Sequence, residues 1–165
     1  MWKSLLGANA QIIGIDIDPE SQKSEEEHIS VRIGDQKDTN FLSSIIEEFG
    51  APDIVLDDGG HQMDQINASF DFLYPKVKDN GIYMVEDLHT AYWGEYGGGV
   101  NNPLTFIENA KKLIDSLNAE HSRGQVEITD FTKNTFGIHF YDSVCVIEKG
   151  RVLPKNTITS GIPVV

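Results

Sequence analysis

The sequence predicts an α/β protein with a doubly wound, mostly parallel sheet and a C-terminal antiparallel hairpin. Short runs rich in Ile, Val and Leu alternate with segments whose apolar residues recur at helical spacing, which is typical of a parallel sheet covered by helices. Two of these runs end in an acidic pair, as strands do when they emerge at the carboxyl edge of such a sheet. Two further runs near the C-terminus are separated only by Asp142 and Ser143, a spacing that predicts a hairpin.

The first part of the chain predicts the end of a helix and two strands. Residues 1–6 have the pattern of the last turns of a helix, and Gly7 is a common stop signal. The apolar stretch 11–16 predicts a buried strand, and the alternating stretch 29–33 predicts a second one. The polar and acidic residues 19–28 between them are typical of a solvated loop or helix.

The middle of the chain predicts two helices separated by a strand. The first helix is expected between a cap at Thr39 or Asp38 and a stop at Gly50, with an apolar face that runs from Phe41 to Phe49, and the strand is expected over 53–56. The second helix is expected over 62–74. Its apolar residues recur on one stripe, which predicts that they belong to the core; they are Met63, Ile66, Phe70 and Leu73.

A strand over 82–85 is followed by the glycine- and aromatic-rich stretch 88–102, which we expect to be a loop suited to covering a sugar or another planar substrate. Asn102 as a cap and Pro103 at the first helical position predict that a further helix starts there. From Val126 onwards the sequence resembles β-structure.

Composition limits the classes of function. The chain has 165 residues and a formal net charge of −13, so we expect one domain over 1–150 with a tail over 151–165, and no binding to nucleic acid or to anionic membranes. No apolar run approaches the roughly 20 residues of a membrane span. The single cysteine, Cys145, excludes an internal disulfide and lies in an apolar run, which predicts a buried, inert thiol. A cytoplasmic location is therefore expected.

The two acidic pairs are Asp57 with Asp58, and Glu86 with Asp87. If their strands are neighbours, the carboxylates meet at one edge of the sheet, and such crowding is costly unless a cation or a proton lies between them. Oxygen ligands without paired cysteines favour Mg²⁺, Ca²⁺ or Mn²⁺ over zinc. The alternative is that these residues cap helices.

The alternation of side chains along a strand predicts that only one of Asp57 and Asp58 contacts such an ion directly. His61, which follows Gly59 and Gly60, is a candidate general base, because histidine exchanges protons near neutral pH. It could equally be a metal ligand or an ordinary surface histidine. His89 is a second, weaker candidate.

Acidic residues also end the first two strands. Asp16 lies where nucleotide-binding sheets hold ribose hydroxyls, and the alternative is a turn aspartate before Pro19. Asp18 is the weaker candidate, because it points to the other face. Asp35 could accept a hydrogen bond from an adenine amino group, or it could cap the helix that follows.

The segments 57–61 and 85–93, read together, resemble the metal-dependent sugar O-methyltransferases of macrolide biosynthesis, of the mycinamicin and macrocin type. Their relatives include proteins described as cephalosporin hydroxylases and rhamnosyl methyltransferases, and all belong to the class I S-adenosylmethionine-dependent methyltransferases. The resemblance covers most of the chain. It implies a Rossmann-like fold, S-adenosylmethionine and Mg²⁺ as cofactors, a small-molecule or saccharide acceptor, and the possibility of a homo-oligomer.

The resemblance also implies roles for individual residues. Asp58, Glu86 and Asp87 would bind Mg²⁺, and His61 would be the general base for methylation of a sugar hydroxyl. On the cofactor side, the residues implied are Asp16 at the ribose, Asp35 and Gln36 beside the adenine, and Asp57.

The chain departs from the family pattern in two places. The family has an earlier strand and a glycine-rich loop that contacts the cofactor, whereas this chain begins at what resembles the following helix, so we expect its first strand to be lacking. Many relatives carry a second histidine four residues after the first, where this chain has Gln65, and no role is assigned there. Two alternatives therefore stay open: a non-catalytic fragment of this fold, and a hydroxylase-like enzyme on the same scaffold.

Overall fold

The structure, a computed structural model, describes residues 2–153, 158, 160 and 161. It contains six strands: β1 (Ile12–Asp16), β2 (Ile29–Ile33), β3 (Ile54–Asp57), β4 (Ile82–Val85), β5 (Thr135–Tyr141) and β6 (Val144–Lys149). The α-helices are α1 (Trp2–Leu6), α2 (Thr39–Phe49), α3 (Met63–Leu73), α4 (Phe106–Leu117) and α5 (Asp130–Asn134). Short 3₁₀ helices span Pro19–Ser24, Tyr74–Lys76, Leu88–Tyr92, Gly94–Tyr96 and Ala119–His121.

The strands confirm the predicted α/β class with a terminal hairpin. β1 pairs in parallel with β2, and β3 pairs in parallel with β4 in a sheet of order β3-β4-β6-β5. In this hairpin the second strand, β6, lies inside the sheet beside β4, and β5 forms the edge. Burial matches this order: Cys145 and Ile147 of β6 are fully buried, whereas Phe140 and Tyr141 of β5 are exposed.

The sheet is divided into two parts. Among the described residues, no strand pairs with the second edge of β1 or with the second edge of β3. Side-chain hydrogen bonds from Gln36 nevertheless connect the carboxyl ends of β2 and β3. These carboxyl ends therefore form one continuous region.

An aromatic cluster holds α3 and α4 against the sheet. The ring of Phe70 in α3 lies 5.2 Å from those of Tyr74 and Tyr83 and 5.3 Å from that of Phe106 in α4, measured between centroids. The apolar stripe that the sequence predicts for α3 is buried. Since Tyr83 belongs to β4, the cluster positions the strand end that carries the second acidic pair.

Three local predictions differ from the structure. The last long helix begins at Phe106 rather than at Pro103, because Thr105 acts as its N-cap and accepts a hydrogen bond from the Glu108 amide at 3.3 Å. The stretch expected as a loop after β4 contains two 3₁₀ helices, and the region predicted as β-structure from Val126 onwards begins with the short helix α5 before β5 and β6. At α2 the cap is Asp38, one of the two predicted candidates.

Within the described ranges, none of the helices has the length and apolar character needed to cross a lipid bilayer. The predicted tail 151–165 lies partly outside the described residues, since 154–157, 159 and 162–165 are not among them. The boundary between domain and tail therefore stays a prediction.

The buried thiol leads to a first testable prediction. Cys145 has no exposed surface, and burial raises its pKa to about 12. Because the thiolate is the reactive form, we expect the native protein at pH 8 to resist a water-soluble disulfide reagent. The unfolded chain should react at least about 100-fold faster, as thiol reactivity follows access and ionisation. Absorbance of the released thiol product measures both rates, and equal rates would contradict the buried position.

Candidate metal and cofactor site

A cavity of about 260 Å³ opens where β1, β2 and β3 end. Its walls come from residues at and after the ends of these three strands and from α3, and they are Ile15, Asp16, Ile17, Gly34, Asp35, Gln36, Asp58, Gly59, Gly60 and Gln65. Of the four residues predicted to contact a cofactor, Asp16, Asp35 and Gln36 line this cavity. The carboxyl ends of the strands therefore form a crevice at the position where open α/β sheets bind ligands.

Asp16 combines a local role with its position in the cavity. Its carboxylate accepts hydrogen bonds from the Asp18 amide at 2.9 Å and from the Ser21 hydroxyl at 2.5 Å. These bonds lower the pKa of Asp16, the amide of Asp18 most strongly. The predicted turn is therefore present. Each carboxylate oxygen can still accept a further hydrogen bond, so Asp16 can also accept one from a ligand hydroxyl.

Asp35 is not the cap of the following helix, since Asp38 fills that position. The Asp35 carboxylate accepts a hydrogen bond from the Lys37 amide at 2.9 Å through Oδ1. Oδ2 is left for a donor in the cavity, which suits an exocyclic amino group.

Asp57, the fourth predicted cofactor residue, does not line the cavity. Its carboxylate is buried and accepts hydrogen bonds from the hydroxyl of Ser69, from Tyr83 Oη at 3.0 Å and from Gln36 Nε2 at 2.9 Å. Burial raises the pKa of Asp57, and these bonds oppose the rise. Because β3 side chains alternate, Asp57 points into the protein while Asp58 points to the crevice.

This buried carboxylate determines how Gln36 is oriented. With Nε2 donating to Asp57, the Oε1 of Gln36 accepts from the Gly60 amide at 2.8 Å. A Cβ on Gly59 would lie 2.0 Å from the same oxygen, so a larger residue there would displace the Gln36 side chain from this arrangement. Asp57 thus positions the loop before His61 through Gln36, and its influence on a bound cofactor is indirect.

The Asp57 network supports a prediction for stability. Changing Tyr83 to Phe removes a buried donor to Asp57 and should lower the free energy of unfolding by about 1–3 kcal/mol. The matched control is Tyr141→Phe, since Tyr141 is exposed; this change should alter stability by less than about 0.5 kcal/mol. Urea unfolding followed by circular dichroism measures both, and equal midpoints for the two variants would contradict the network.

The acidic strand ends form a cluster with the candidate base. Donor atoms of Asp58, His61 and Asp87 all lie within 4.8 Å of one another, and His61 Nε2 is 3.6 Å from an oxygen of Asp87. His61 and Asp87 both have a φ of 53°, a left-handed backbone that non-glycine residues rarely adopt. Such strain concentrates at functional sites, and here it occurs at two of the three members of the cluster.

Glu86 does not belong to this cluster among the described residues. Its backbone amide donates to the Asp57 carbonyl at 3.0 Å and continues the β3–β4 pairing. The role of Glu86 as a third carboxylate ligand therefore stays a prediction.

The chemistry of the cluster fits a hard divalent cation. Mg²⁺ is bound in proteins through one or two carboxylates and keeps several waters, and Asp58 with Asp87 supplies two carboxylates. An ion between them removes the repulsion of two adjacent negative charges. The imidazole of His61 is close enough to be either a ligand or a base that acts beside the ion.

Gln65 is a functional candidate to which the sequence pattern assigns no role. Its Oε1 is buried and has no hydrogen-bond partner among the described residues. The atom borders the cavity beside Gly60, where an added Cβ would lie 2.2 Å from it. A buried acceptor without a partner is costly, so the crevice lacks one donor that a ligand with an amino group can supply. The cavity therefore offers an unused acceptor to a ligand that carries an amino group.

The comparison with known proteins agrees with this geometry. No protein-family model matches the sequence. The chain is 36% identical over 157 residues to the demethylmacrocin O-methyltransferase of Streptomyces fradiae, covering 91% of this chain. It is also 36% identical over 163 residues to the mycinamicin VI 2''-O-methyltransferase of Micromonospora griseorubida, covering 92% of this chain. The chain is a homologue of the macrolide sugar O-methyltransferases.

Solved structures of this group confirm the predicted fold. The MycE methyltransferase of the mycinamycin pathway, in complex with Mg and SAH, matches with a TM-score of 0.83 at 36% identity over 91% of this chain. A second MycE structure, which also holds mycinamycin VI, matches with the same TM-score. The chain spans about 39% of the length of the two curated relatives. Its Rossmann-like fold thus corresponds to one portion of these macrolide sugar O-methyltransferases.

Proposed function

We propose that this protein transfers a methyl group from S-adenosylmethionine to a sugar hydroxyl in a Mg²⁺-dependent reaction. One observation carries the proposal: Asp58 lines the crevice and also belongs to the cluster with His61 and Asp87. A methyl donor in the crevice and an acceptor at the cluster are therefore next to each other. The names of the relatives and the Mg and SAH in the MycE structures support the same function.

The crevice provides acceptors for the polar groups of the cofactor. Asp16 accepts from the ribose hydroxyls, and Asp35 accepts from the adenine amino group or from a neighbouring donor. Gln36 is held by Asp57 and keeps the Gly59–Gly60 backbone against the cofactor. Positioning of this kind supplies much of the acceleration, because the sulfonium methyl is already activated.

The cluster provides the residues that bind and deprotonate the acceptor. Asp58 and Asp87 would hold Mg²⁺, with Glu86 as the predicted third carboxylate. The chemistry that such an ion would supply is a lower pKa for an acceptor hydroxyl. His61 Nε2 takes the hydroxyl proton, and Asp87, 3.6 Å away, stabilises the imidazolium that results. The acceptor oxygen forms a bond to the methyl carbon as the carbon–sulfur bond breaks, which leaves S-adenosylhomocysteine.

A turnover assay tests this function. The purified protein is incubated with S-adenosylmethionine and either methyl α-L-rhamnopyranoside or mycinamicin VI, and S-adenosylhomocysteine is quantified by mass spectrometry. We expect formation that requires a glycoside, stops with EDTA and returns with Mg²⁺. Formation that is unaffected by EDTA would contradict the metal-dependent mechanism. An oxygen electrode in parallel tests the hydroxylase alternative, which consumes O₂.

A further inference from the structure

The hydroxyl of Thr90 lies between the two left-handed residues of the metal cluster. Its Oγ1 is 2.8 Å from the carbonyl oxygen of Asp87 and 3.3 Å from the carbonyl oxygen of His61. Both of these residues have a φ of 53°. A threonine hydroxyl carries one proton, so the two carbonyls share it, and the shorter distance makes Asp87 the stronger acceptor. A single side chain thus contacts the backbone of two members of the cluster.

The two segments that meet at Thr90 come from different strands. His61 lies in the loop after β3, and Asp87 is the N-cap of the 3₁₀ helix after β4. The Asp87 carbonyl also accepts the Thr90 amide at 3.0 Å. Among the described residues, the Thr90 hydroxyl is the one hydrogen-bond donor to the His61 carbonyl. This hydroxyl therefore ties the loop of His61 to the segment that carries Asp87.

The core holds Thr90 itself in place. Its side chain is buried in the 3₁₀ helix Leu88–Tyr92, and the neighbouring residues Leu88 and Ala91 belong to the hydrophobic core. The Ala91 carbonyl accepts the Gly99 amide at 2.8 Å, which closes the following turn onto this helix. Because protein interiors are close-packed, a hydroxyl buried in this way has a fixed position relative to the sheet.

The backbone of His61 and Asp87 needs such a support. A left-handed conformation costs free energy in residues other than glycine, and it persists only when the surrounding contacts over-determine it. Around His61 the contacts are the bond from the Gly60 amide to Gln36 and the bond from Thr90 to the His61 carbonyl. The direction of a side chain follows from φ, so relaxation of either backbone would separate the donor atoms of His61 and Asp87, which lie 3.6 Å apart.

We propose that Thr90 is a positioning residue, whose hydroxyl holds the backbones of His61 and Asp87 in the conformation that brings their side chains together with Asp58. The inference rests on the proposed function and adds a residue that acts through the cluster. It predicts two separate consequences of losing the hydroxyl. Displacement of Asp87 weakens the binding of Mg²⁺, and displacement of His61 slows removal of the acceptor proton.

The variant Thr90→Val tests the proposal, because valine keeps the shape of threonine and lacks its hydroxyl. Mg²⁺ is titrated into the metal-free protein by calorimetry. We expect the affinity for Mg²⁺ to fall by about tenfold or more, as is usual when a residue that orients metal ligands is lost. At saturating Mg²⁺ turnover should stay reduced by at least about fivefold, because a misplaced reacting group lowers the rate. Full recovery of turnover at saturating Mg²⁺ would contradict the role assigned toward His61.

The matched control is Thr132→Val. Thr132 is 4% exposed, compared with 2% for Thr90, and its hydroxyl donates to the Ser116 carbonyl at 2.7 Å, outside the cluster. Both variants lose a buried hydroxyl that donates to a carbonyl, so the midpoint of thermal unfolding should fall in both. Thr132→Val should nevertheless keep its Mg²⁺ affinity to within about twofold of the unchanged protein, because Thr132 contacts no member of the cluster.

Thr90→Ser separates the hydroxyl from the methyl group. Serine keeps the donor, so the affinity for Mg²⁺ should stay within about threefold of that of the unchanged protein. Circular dichroism establishes that each variant is folded. The serine variant also keeps the test decisive if valine prevents folding, since a loss of about tenfold in Thr90→Ser would contradict a role of the hydroxyl.

Three results would overturn the proposal: an unchanged Mg²⁺ affinity in Thr90→Val, an equal loss in Thr90→Ser, or an equal loss in Thr132→Val. Saturable Mg²⁺ binding by the unchanged protein, with any of these three results, rejects the positioning role and leaves the proposed function in place. An absence of Mg²⁺ binding by the unchanged protein rejects the metal site of the proposed function, and the role of Thr90 with it.

Discussion

Replacing Asp58 by Asn is expected to reduce the rate of methyl transfer by about 100-fold or more and to weaken Mg²⁺ binding by at least about tenfold. Mutation of residues that only orient metal ligands already reduces metal affinity or activity by about 10- to 100-fold. Asp58 is the residue shared by the crevice and the cluster. Its loss removes one of the two carboxylates near His61 and leaves the backbone of the loop unchanged.

The control for this variant is Asp64→Asn. Asp64 is an exposed acidic residue in the first turn of α3 that pairs with Lys37 at 3.1 Å and belongs neither to the cavity nor to the cluster. Both variants lose one negative charge, so a general effect of net charge would appear in both. Mg²⁺ binding is followed by calorimetry and turnover by release of S-adenosylhomocysteine. Equal Mg²⁺ affinity in Asp58→Asn and in the unchanged protein would contradict the assigned metal site.

The second large effect is expected from His61→Gln. Loss of a general base reduces turnover by about 10²- to 10⁴-fold, while Mg²⁺ and S-adenosylhomocysteine should bind with affinities within about twofold of the unchanged protein, because the assigned metal ligands and cofactor acceptors remain. Glutamine keeps a polar side chain of similar length and cannot accept a proton at neutral pH.

The structure makes this experiment decisive between two roles of His61. Its ring nitrogen is within 4.8 Å of donor atoms of both Asp58 and Asp87, a distance compatible with a ligand as well as a base. As a base, His61 affects turnover alone, whereas as a ligand it also affects Mg²⁺ affinity. We expect the first pattern, and a loss of Mg²⁺ affinity of about tenfold or more in His61→Gln would contradict the role as a base.

Much of the site could be predicted because it depends on short-range rules. Parallel pairing of β3 with β4 places Asp57 opposite Val85, so the two strands end at the same edge of the sheet, where Asp58 and Asp87 lie close together. Alternation along β3 separates Asp57 from Asp58 in the expected way. The helical stripe of α3 is likewise a local pattern, and its four apolar residues are buried.

The remainder depends on contacts between distant parts of the chain. Asp57 is 21, 12 and 26 residues away from Gln36, Ser69 and Tyr83, respectively, and nothing in the local pattern of a strand aspartate indicates three such donors. The ring of His89, the weaker candidate base, contacts the hydroxyl of Ser143, which is 54 residues away. Contacts of this kind can be predicted only when the order of the strands in the sheet is known.

The start of a helix and the order of strands in a sheet are also poorly determined by local sequence. Asn102 and Pro103 are good signals for a helix start, but the Asn102 side chain instead accepts the Leu104 amide at 3.1 Å in a turn, and Thr105 takes the cap. A helix cap and a turn of this kind both provide an acceptor for a backbone amide that has no partner within the helix. The burial of β6 between β4 and β5 is decided by the whole core, which a single hairpin signal does not contain.

Titration calorimetry of S-adenosylhomocysteine, with and without Mg²⁺, tests most directly whether one crevice at the strand ends holds the cofactor beside a metal cluster. We expect saturable binding of one molecule per chain with a dissociation constant on the order of micromolar. We also expect a loss of at least about tenfold in affinity in Asp16→Asn, which alters the acceptor for the ribose hydroxyls. An absence of saturable binding under both conditions would contradict the assignment of the crevice as the cofactor site.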